Sequence, residues 1–418
     1  MSLAVLGLQM RRRVALLGGT STIGDCLVAL RYLASPRQLL RGPAIVEYEA
    51  AFARQIGVQY AYSLFAGRVG LYGALRALNI GEGDEVLLQV PTHVVVPNAI
   101  RFAGARPVYV DCELDTYNMD LEQAERLVTP RTKAIVLQHT FGVPVDMDAA
   151  LALARRHGLE LIEDCVHALG ATWDGRQVGS FGRVAFFSTE ETKIISSTMG
   201  GMVTTNDPDL AQKLRAFQAQ CAPQSFSETF RYVLKLAVYH ALTEPHVHPY
   251  SRAMYEWTGR FQPLSRATSD DEMNGIRPAN YERCLSNGQA ALALEQLKRL
   301  ESNLAHRRAC ADQYRERLAR GGVVPSRLPA KAGPAYVRYP VWVEDKAAAV
   351  RNTAPHVVLG TWFDSVLEEA VSPAQGGYEM GSCPRAELSI KHLINLPTHM
   401  RVTANDIEAI TDAVLKAR

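Results

Sequence analysis

Two segments of the chain carry residue types that could do chemistry. Glu163-Asp164-Cys165-Val166-His167 follows the apolar run Leu161-Ile162, so Asp164 is expected at the carboxyl end of a strand. A carboxylate buried there needs a cationic partner, because an unpaired buried charge is costly. A protonated pyridine nitrogen is one such partner. The alternative is a strand-end Asp that caps the next turn. The second segment, Phe186-Phe187-Ser188-Thr189-Glu190-Glu191-Thr192-Lys193, precedes Gly200-Gly201. It sets a lysine between one strand and a glycine pair leading into another. A partly desolvated lysine amine forms Schiff bases with carbonyl cofactors. The Ser188 hydroxyl, five residues earlier, could hold a phosphate. Taken alone, Lys193 also reads as a solvated surface lysine.

A third segment, Gly18-Gly19-Thr20-Ser21-Thr22-Ile23-Gly24, follows Arg13-Val14-Ala15-Leu16-Leu17 and has the look of a nucleotide-binding glycine turn. Such a turn needs an acid about 20 residues on to bind a ribose. No acid stands between Asp25 and Glu47, and Arg37 to Arg41 occupy that stretch. The other reading is an irregular lead-in to the first helix.

The elements that must position these residues alternate between strand and helix from about residue 45 to 210. Strands are expected at Val86–Val90, Pro107–Asp111, Lys133–His139 and Glu160–Asp164, and helices at Ala99–Ala103, Leu121–Leu127 and Ala149–His157. Short apolar runs separated by helices indicate βαβ units and a mostly parallel sheet covered on both faces. Ligands collect at the carboxyl ends of such strands. Residues 221–273 break the rhythm. Phe230–Leu242 reads as an apolar helix carrying Arg231 and Lys235, Pro245 and Pro249 interrupt it, and Tyr250, Tyr255, Trp257 and Phe261 follow. Ser265–Glu272 reads as a polar loop. Arg231, Lys235, Arg252 and Arg260 could meet a diphosphate or form a solvated face. A long helix is expected from Leu285 to about Arg320, strand character over Ala335–Val343 and a closing helix over Ala404–Lys416. This predicts an α/β chain with a large domain at 1–300 and a small α+β domain at 301–418.

Composition narrows the class. The chain has 418 residues, of which 47% are apolar and 21% charged, ordinary for a globular protein. Lys+Arg number 45 and Asp+Glu 43, a net charge of +2, which argues against a nucleic-acid binder. The seven cysteines are widely spaced with no CxxC pair, which argues against a disulfide framework or a zinc ribbon. Free thiols fit a reducing cytoplasm, and no metal site is expected. The apolar start precedes Arg11-Arg12-Arg13, the wrong order for a signal peptide. No uncharged run reaches the length of about 18 residues that spans a bilayer.

Together the segments resemble the DegT/DnrJ/EryC1/StrS family of pyridoxal-phosphate enzymes, mostly sugar aminotransferases. The matching pieces run in the family's order: Ile45 to Ala53, Ala66-Gly67-Arg68, Gly81 to Val86, Asn98-Ala99-Ile100, Ala103-Gly104-Ala105 and His139-Thr140-Phe141-Gly142. Glu163-Asp164, Thr192-Lys193, Gly200-Gly201, Gln289 to Leu292 and Asn395-Leu396-Pro397-Thr398-His399 complete them, so the resemblance covers about residues 40 to 418. It implies the aspartate-aminotransferase fold, with Lys193 holding pyridoxal 5'-phosphate and later moving the proton. It implies that Asp164 pairs with the pyridine nitrogen, that His167 contacts the ring or its phenolic oxygen, and that Ser188 with the turn Gly67, Arg68 and Val69 binds the phosphate. Arg68 stands where the family has Thr; its guanidinium could bind the phosphate, or only its backbone matters. His93 falls where the family stacks an aromatic ring on the cofactor; an exposed loop histidine is the competing reading. Asn280 and Arg283 are candidates for the group that family members send across a dimer to the phosphate.

Because Lys193 is present, the resemblance implies transamination, from an amino acid such as glutamate to a ketone, by a homodimer. The acceptor it implies is a nucleotide-linked keto-sugar or a cyclitol. The apolar, aromatic segment Ser225–Leu264 is unlike the family's short loop. It could serve packing and dimer contacts, wall a site for a lipid or polyketide ketone, or touch a membrane surface. A non-catalytic regulator is the remaining alternative.

Overall fold

The computed structural model describes residues 12–258 and 267–417. Arg260, Phe261 and Ser265 lie outside the described residues, as do the side chains of Tyr255 and Trp257.

Seven strands build the central sheet: β1 (Tyr60–Leu64), β2 (Glu85–Gln89), β3 (Arg106–Val110), β4 (Thr132–Gln138), β5 (Glu160–Asp164), β6 (Val184–Ser188) and β7 (Gly201–Thr205). Their order across the sheet is β1-β7-β6-β5-β4-β2-β3. Strands β6, β5, β4, β2 and β3 run parallel, and β7 is antiparallel to both β6 and β1. Adjacent apolar residues in a strand point to opposite faces, and the packing follows that rule. Leu88, Val136 and Ile162 join Leu71, Leu75 and Ile100 on one side. Leu87, Ile135 and Leu161 join Met147 and Leu153 on the other. This two-sided burial is why these strands read as unbroken apolar runs.

The helices that bear on the site are α1 (Ile23–Leu33), α2 (Ala44–Ile56), α3 (Gly67–Ala77), α4 (Val95–Phe102), α5 (Phe226–Leu242), α6 (His248–Thr258), α7 (Asn287–Leu297), α8 (Leu300–Arg320) and α9 (Ala404–Leu415). A separate apolar cluster unites α8 and α9 with the antiparallel pair β8 (Arg338–Trp342) and β9 (Leu393–Pro397) through Tyr314, Val341, Ile394, Leu396 and Ile410. Val14 packs into that cluster from the other end of the chain.

The early glycine turn takes its second reading, an irregular lead-in: Val14 makes a single bridge to Val357, and Thr22 then caps α1. Three expectations change. The long helix expected from Leu285 is two, because a Ser286–Gln289 capping box starts α7 and the chain breaks between Leu297 and Leu300. At the break Arg299 turns to Asp25 at 2.8 Å, a contact no local pattern encodes. Only Arg338–Trp342 of the expected strand pairs with β9; the Ala335 and Val337 N–H groups donate to the Gly142 and Phe141 carbonyls instead. The polar stretch ending at Glu272 runs into a short helix, Asp270–Met273, which Ser269 caps.

In the 221–273 segment, α5 starts earlier than expected because Ser225 and Glu228 form a capping box. It buries Val233 and Leu236 with Ala29 and Leu39. Among the described residues no helix is long and apolar enough to cross a membrane.

Candidate active site

The carboxyl ends of β5 and β6 lie side by side, with Asp164 paired to Phe186. Asp164, the last residue of β5, is buried, and its Oδ1 accepts the Val166 N–H at 3.1 Å. Its Oδ2 has no partner among the described residues. Burial therefore pushes its carboxyl up to about 7. Three residues on, His167 is buried with Nδ1 unpartnered among the described residues. Its ring stacks on Trp362 at 4.8 Å and an interplanar angle of 17°. Burial, with the nearby Lys193 and Arg338 cations, holds His167 well below the usual imidazole range.

Lys193 follows β6 in a loop that returns to β7. Its Nζ points into the same pocket, 4.5 Å from the centre of the Trp362 ring. Burial lowers the amine to about 8, against the pull of Glu190. The lysine is not a solvated surface group. Ser188 lines the pocket too, and its Oγ accepts the Glu190 N–H at 3.3 Å.

Strand β1 leads into the start of α3 at this pocket. The Gly67 and Arg68 N–H groups have no partner among the described residues, as expected for the first turn of a helix. A Cβ on Gly67 would lie 2.9 Å from the Phe187 carbonyl oxygen, and a Cβ on Gly201 would collide with the backbone of Ala66 and Gly67. The glycines let three backbone segments converge there. Val69 is not part of this opening: its N–H donates to the Ala66 carbonyl at 3.1 Å and its side chain sits in the core. The Arg68 guanidinium is engaged by the Glu272 carboxylate and the Ala267 carbonyl, the latter at 2.9 Å.

His93 ends a two-residue strand, Thr92–His93, that pairs with Leu367–Glu368. It lines the pocket, with Nε2 3.3 Å from Glu369. Asn280 is exposed, and Arg283 pairs with Glu228 at 2.8 Å and lies over Phe65. Neither lines the pocket of its own chain.

Sequence reasoning missed Trp362, Glu190, Glu369 and Thr268, all of which line the pocket. It also missed the role of Glu163. That carboxylate accepts N–H groups from Gly179, Phe181 and Gly182 at 2.7, 2.8 and 2.7 Å and contacts His139 at 3.3 Å. Its acceptor sites are taken up pinning the loop before β6. Burial pushes the neighbouring Cys165 thiol well up, and all seven cysteines are free. The pocket thus joins a near-neutral amine, an acid with a vacant lone pair and an open helix start. Such a set can capture a carbonyl, pair with a cation and hold an anion.

The sequence model of the DegT/DnrJ/EryC1/StrS aminotransferase family matches residues 25–415. GDP-perosamine synthase of Caulobacter vibrioides is 32% identical over 378 residues, 89% of this chain and 90% of that protein. Spore coat polysaccharide biosynthesis protein SpsC of Bacillus subtilis is 30% identical, covering 90% of each. Among solved structures, DesV of S. venezuelae superposes with a TM-score of 0.74 at 28% identity over 94% of both chains. DesI, solved with its TDP-sugar product, gives 0.70 at 26% identity over 98% of this chain and 92% of that one. With this sheet, this pocket and a match over nearly its whole length, the chain belongs to the DegT/DnrJ/EryC1/StrS aminotransferase family.

Proposed function

We propose that the enzyme is a pyridoxal-phosphate-dependent transaminase that moves an amino group from glutamate to the ketone of a nucleotide-linked sugar. The observation that carries this reading is that the half-buried Lys193 and the unpartnered, buried Asp164 Oδ2 line one pocket at the end of the sheet. The residues present fit the cofactor. Lys193 would take its aldehyde and Asp164 its pyridine N–H. The Gly67 and Arg68 N–H groups with the Ser188 hydroxyl would take its phosphate at the start of α3. His167 Nδ1 would meet the phenolic oxygen and His93 the ring face. When bound, the group supplies an electron sink for the substrate's α-carbon.

The protein's own part is orientation and proton transfer. Lys193, freed of its proton above about pH 8, acts as the base that lifts the proton from one carbon and returns it to another. Asp164 stays ionised opposite a cation, which the low dielectric around it makes strong. The stacked His167 and Trp362 keep water from that side of the pocket.

The names of the relatives support a sugar-nucleotide acceptor. A second reading, a lipid or polyketide ketone, draws support from Ala267 and Thr268, which line the pocket directly after the apolar segment holding α5 and α6. We further read the enzyme as a cytoplasmic homodimer with a large part at 1–300 and a small part at 301–418. A non-catalytic regulator has no need of the Asp164–Lys193 pair.

The test is direct. Purified protein is expected to absorb visible light, to lose that band on borohydride treatment and to gain the cofactor's mass on the peptide holding Lys193. A Lys193→Ala variant with the same band and the same adduct would sink the assignment. Amino-loaded enzyme offered keto-sugar nucleotides and lipid ketones in parallel identifies the acceptor; a response to lipid ketones alone removes the sugar reading.

A further inference from the structure

His93 shares the lysine pocket with a carboxylate that amino transfer as described above leaves unused. That carboxylate is Glu369, 3.3 Å from His93 Nε2. The contact is built from the backbone outward. Thr92–His93 and Leu367–Glu368 pair in parallel, and the Thr92 and Val94 N–H groups donate to the Val366 and Glu368 carbonyls, both at 3.0 Å. The chain then turns at Glu369 with a φ of 61°, a left-handed backbone that a side chain of this size rarely adopts. Such an outlier is costly and persists where its surroundings over-determine it. Here the strand pairing fixes the chain before it, and the Val371 N–H, donating to the Met273 carbonyl at 3.1 Å, fixes the chain after it.

Both ring nitrogens of His93 have partners. The Val95 N–H lies 3.4 Å from Nδ1. A backbone N–H can only donate, so Nδ1 accepts, and the neutral imidazole carries its proton on Nε2, toward Glu369. Glu369 also takes a hydrogen bond from the buried Thr268. Burial alone would raise the Glu369 carboxyl; the hydrogen bonds from His93 and Thr268, with the Arg68 charge nearby, hold it at about 2. It therefore stays an ionised acceptor near neutral pH, and hydrogen bonds to ionised acceptors are the stronger kind. The adjoining acid is not an alternative: the Glu368 Oε2 accepts the Asp364 and Ser365 N–H groups at 2.8 and 3.3 Å. Hydrogen bonds to an imidazole lie in the plane of its ring. Partners at both edges fix that plane and leave the faces free. A phenyl or indole ring stacks by its area alone. An imidazole is smaller and polar at its edges, so it needs its nitrogens held before a face can serve.

We propose that Glu369 is the positioning residue that lets a histidine serve in place of a stacking aromatic: it holds His93 by its Nε2 edge, so that the imidazole face meets the cofactor ring. The inference rests on the transaminase reading, which puts that ring in this pocket.

The experiment uses the full-length chain with Glu369→Asn, Glu369→Gln, His93→Phe and the double variants. Asn tolerates the left-handed backbone but is too short to reach Nε2, while Gln keeps the reach and loses the charge. Pyridoxal 5'-phosphate is titrated into each cofactor-free protein, and its dissociation constant and visible circular dichroism are read. With His93 present, Glu369→Asn is expected to weaken binding by about 3- to 10-fold, the size of one hydrogen bond, and to diminish the dichroism. Glu369→Gln is expected in between and stands in should the Asn variant not fold. With Phe at position 93, the Glu369→Asn change should move the constant by less than about twofold, because a phenyl ring has no edge to hold. Equal losses in both backgrounds, or no loss in either, overturn the proposal. A second measurement needs no cofactor. Nitrogen spectra of protein labelled at histidine, assigned by the signals lost in His93→Phe, should show the Nε2-protonated form of His93 in the wild type and mixed tautomers in Glu369→Asn. A wild-type His93 without a fixed tautomer overturns the proposal. A fixed tautomer that depends on Glu369, in a protein that binds no cofactor, keeps Glu369 as the residue that positions His93 and removes the transaminase reading.

Discussion

Asp164 is one of the groups that make the stability of the cofactor-free protein depend on pH. Its carboxyl titrates near 7 when folded and near its ordinary 3.8 when unfolded. Between those values the folded chain holds a proton that the unfolded chain has lost, so stability falls as pH rises through that window. Above 7 both states are ionised and the penalty stays constant. Asp164→Asn removes the penalty. We expect the empty variant to be about 1–3 kcal/mol more stable than the empty wild type at pH 8, with the gain shrinking as pH falls from 7 toward 4. Urea melts at pH 5 and pH 8 check this, and equal stability at pH 8 would contradict the burial argument. The same substitution should weaken cofactor retention, because the counter-charge is gone. The place of Asp164 at a strand end was legible from the apolar run before it, while its role and that of Lys193 were legible only from the family resemblance of the two segments together. Trp362 was not: it meets Lys193 and His167 across more than a third of the chain, and nothing local to it encodes that meeting.

At the scale of elements, the segment after residue 221 does more than cover a surface. Lys235 of α5 is buried and pairs at 2.6 Å with Glu191, two residues before Lys193. The helix thereby holds the lysine loop from behind. Burial and Glu190 still push the Glu191 carboxyl up to about 7. Removing one partner of a buried pair leaves the other uncompensated and costs about 3–5 kcal/mol. Lys235→Met is therefore expected to destabilise by that amount at pH 8, and adding Glu191→Gln should recover at least half. Denaturant midpoints of the single and double variants measure it; a loss that the second change does not relieve would assign the effect to packing. The parallel strands were readable because both of their faces are buried. The break between α7 and α8 was not, because Lys298 and Arg299 are good helix formers and only the contact to Asp25 reveals why the chain turns.

At the scale of the molecule, the pocket draws on distant stretches: the start of α3, His93 with the start of α4, the ends of β4, β5 and β6, the lysine loop through Gly200, the residues beginning at Ala267, and the loop holding Trp362 and Glu369. Asn280 and Arg283 stand outside it in their own chain. In the proposed dimer they would serve the partner's phosphate site, which gives a prediction. Lys193→Ala and an Asn280→Ala, Arg283→Ala double variant are each expected to be inactive. Equal co-expression should restore roughly a quarter of the wild-type rate, since half the dimers are hybrids and each hybrid has one intact site. Hybrids seen by native mass spectrometry but without activity would mean that each site is complete within one chain.

The sequence by itself determined the class of fold, because apolar runs of strand length alternating with helices can only bury themselves in a mostly parallel sheet. It also determined which acid stands at a strand end and which lysine follows the next strand, because their spacing from those runs is local. Only the tertiary structure decided what the open positions do. It turned Val69 into the core, tied the Arg68 guanidinium to Glu272, made the early glycine turn a wall beside Arg307, and set Arg338 against Trp362. Each of those outcomes depends on contacts between segments far apart in the chain. Side-chain packing and charge pairing settle them, and neither leaves a periodic trace in the sequence.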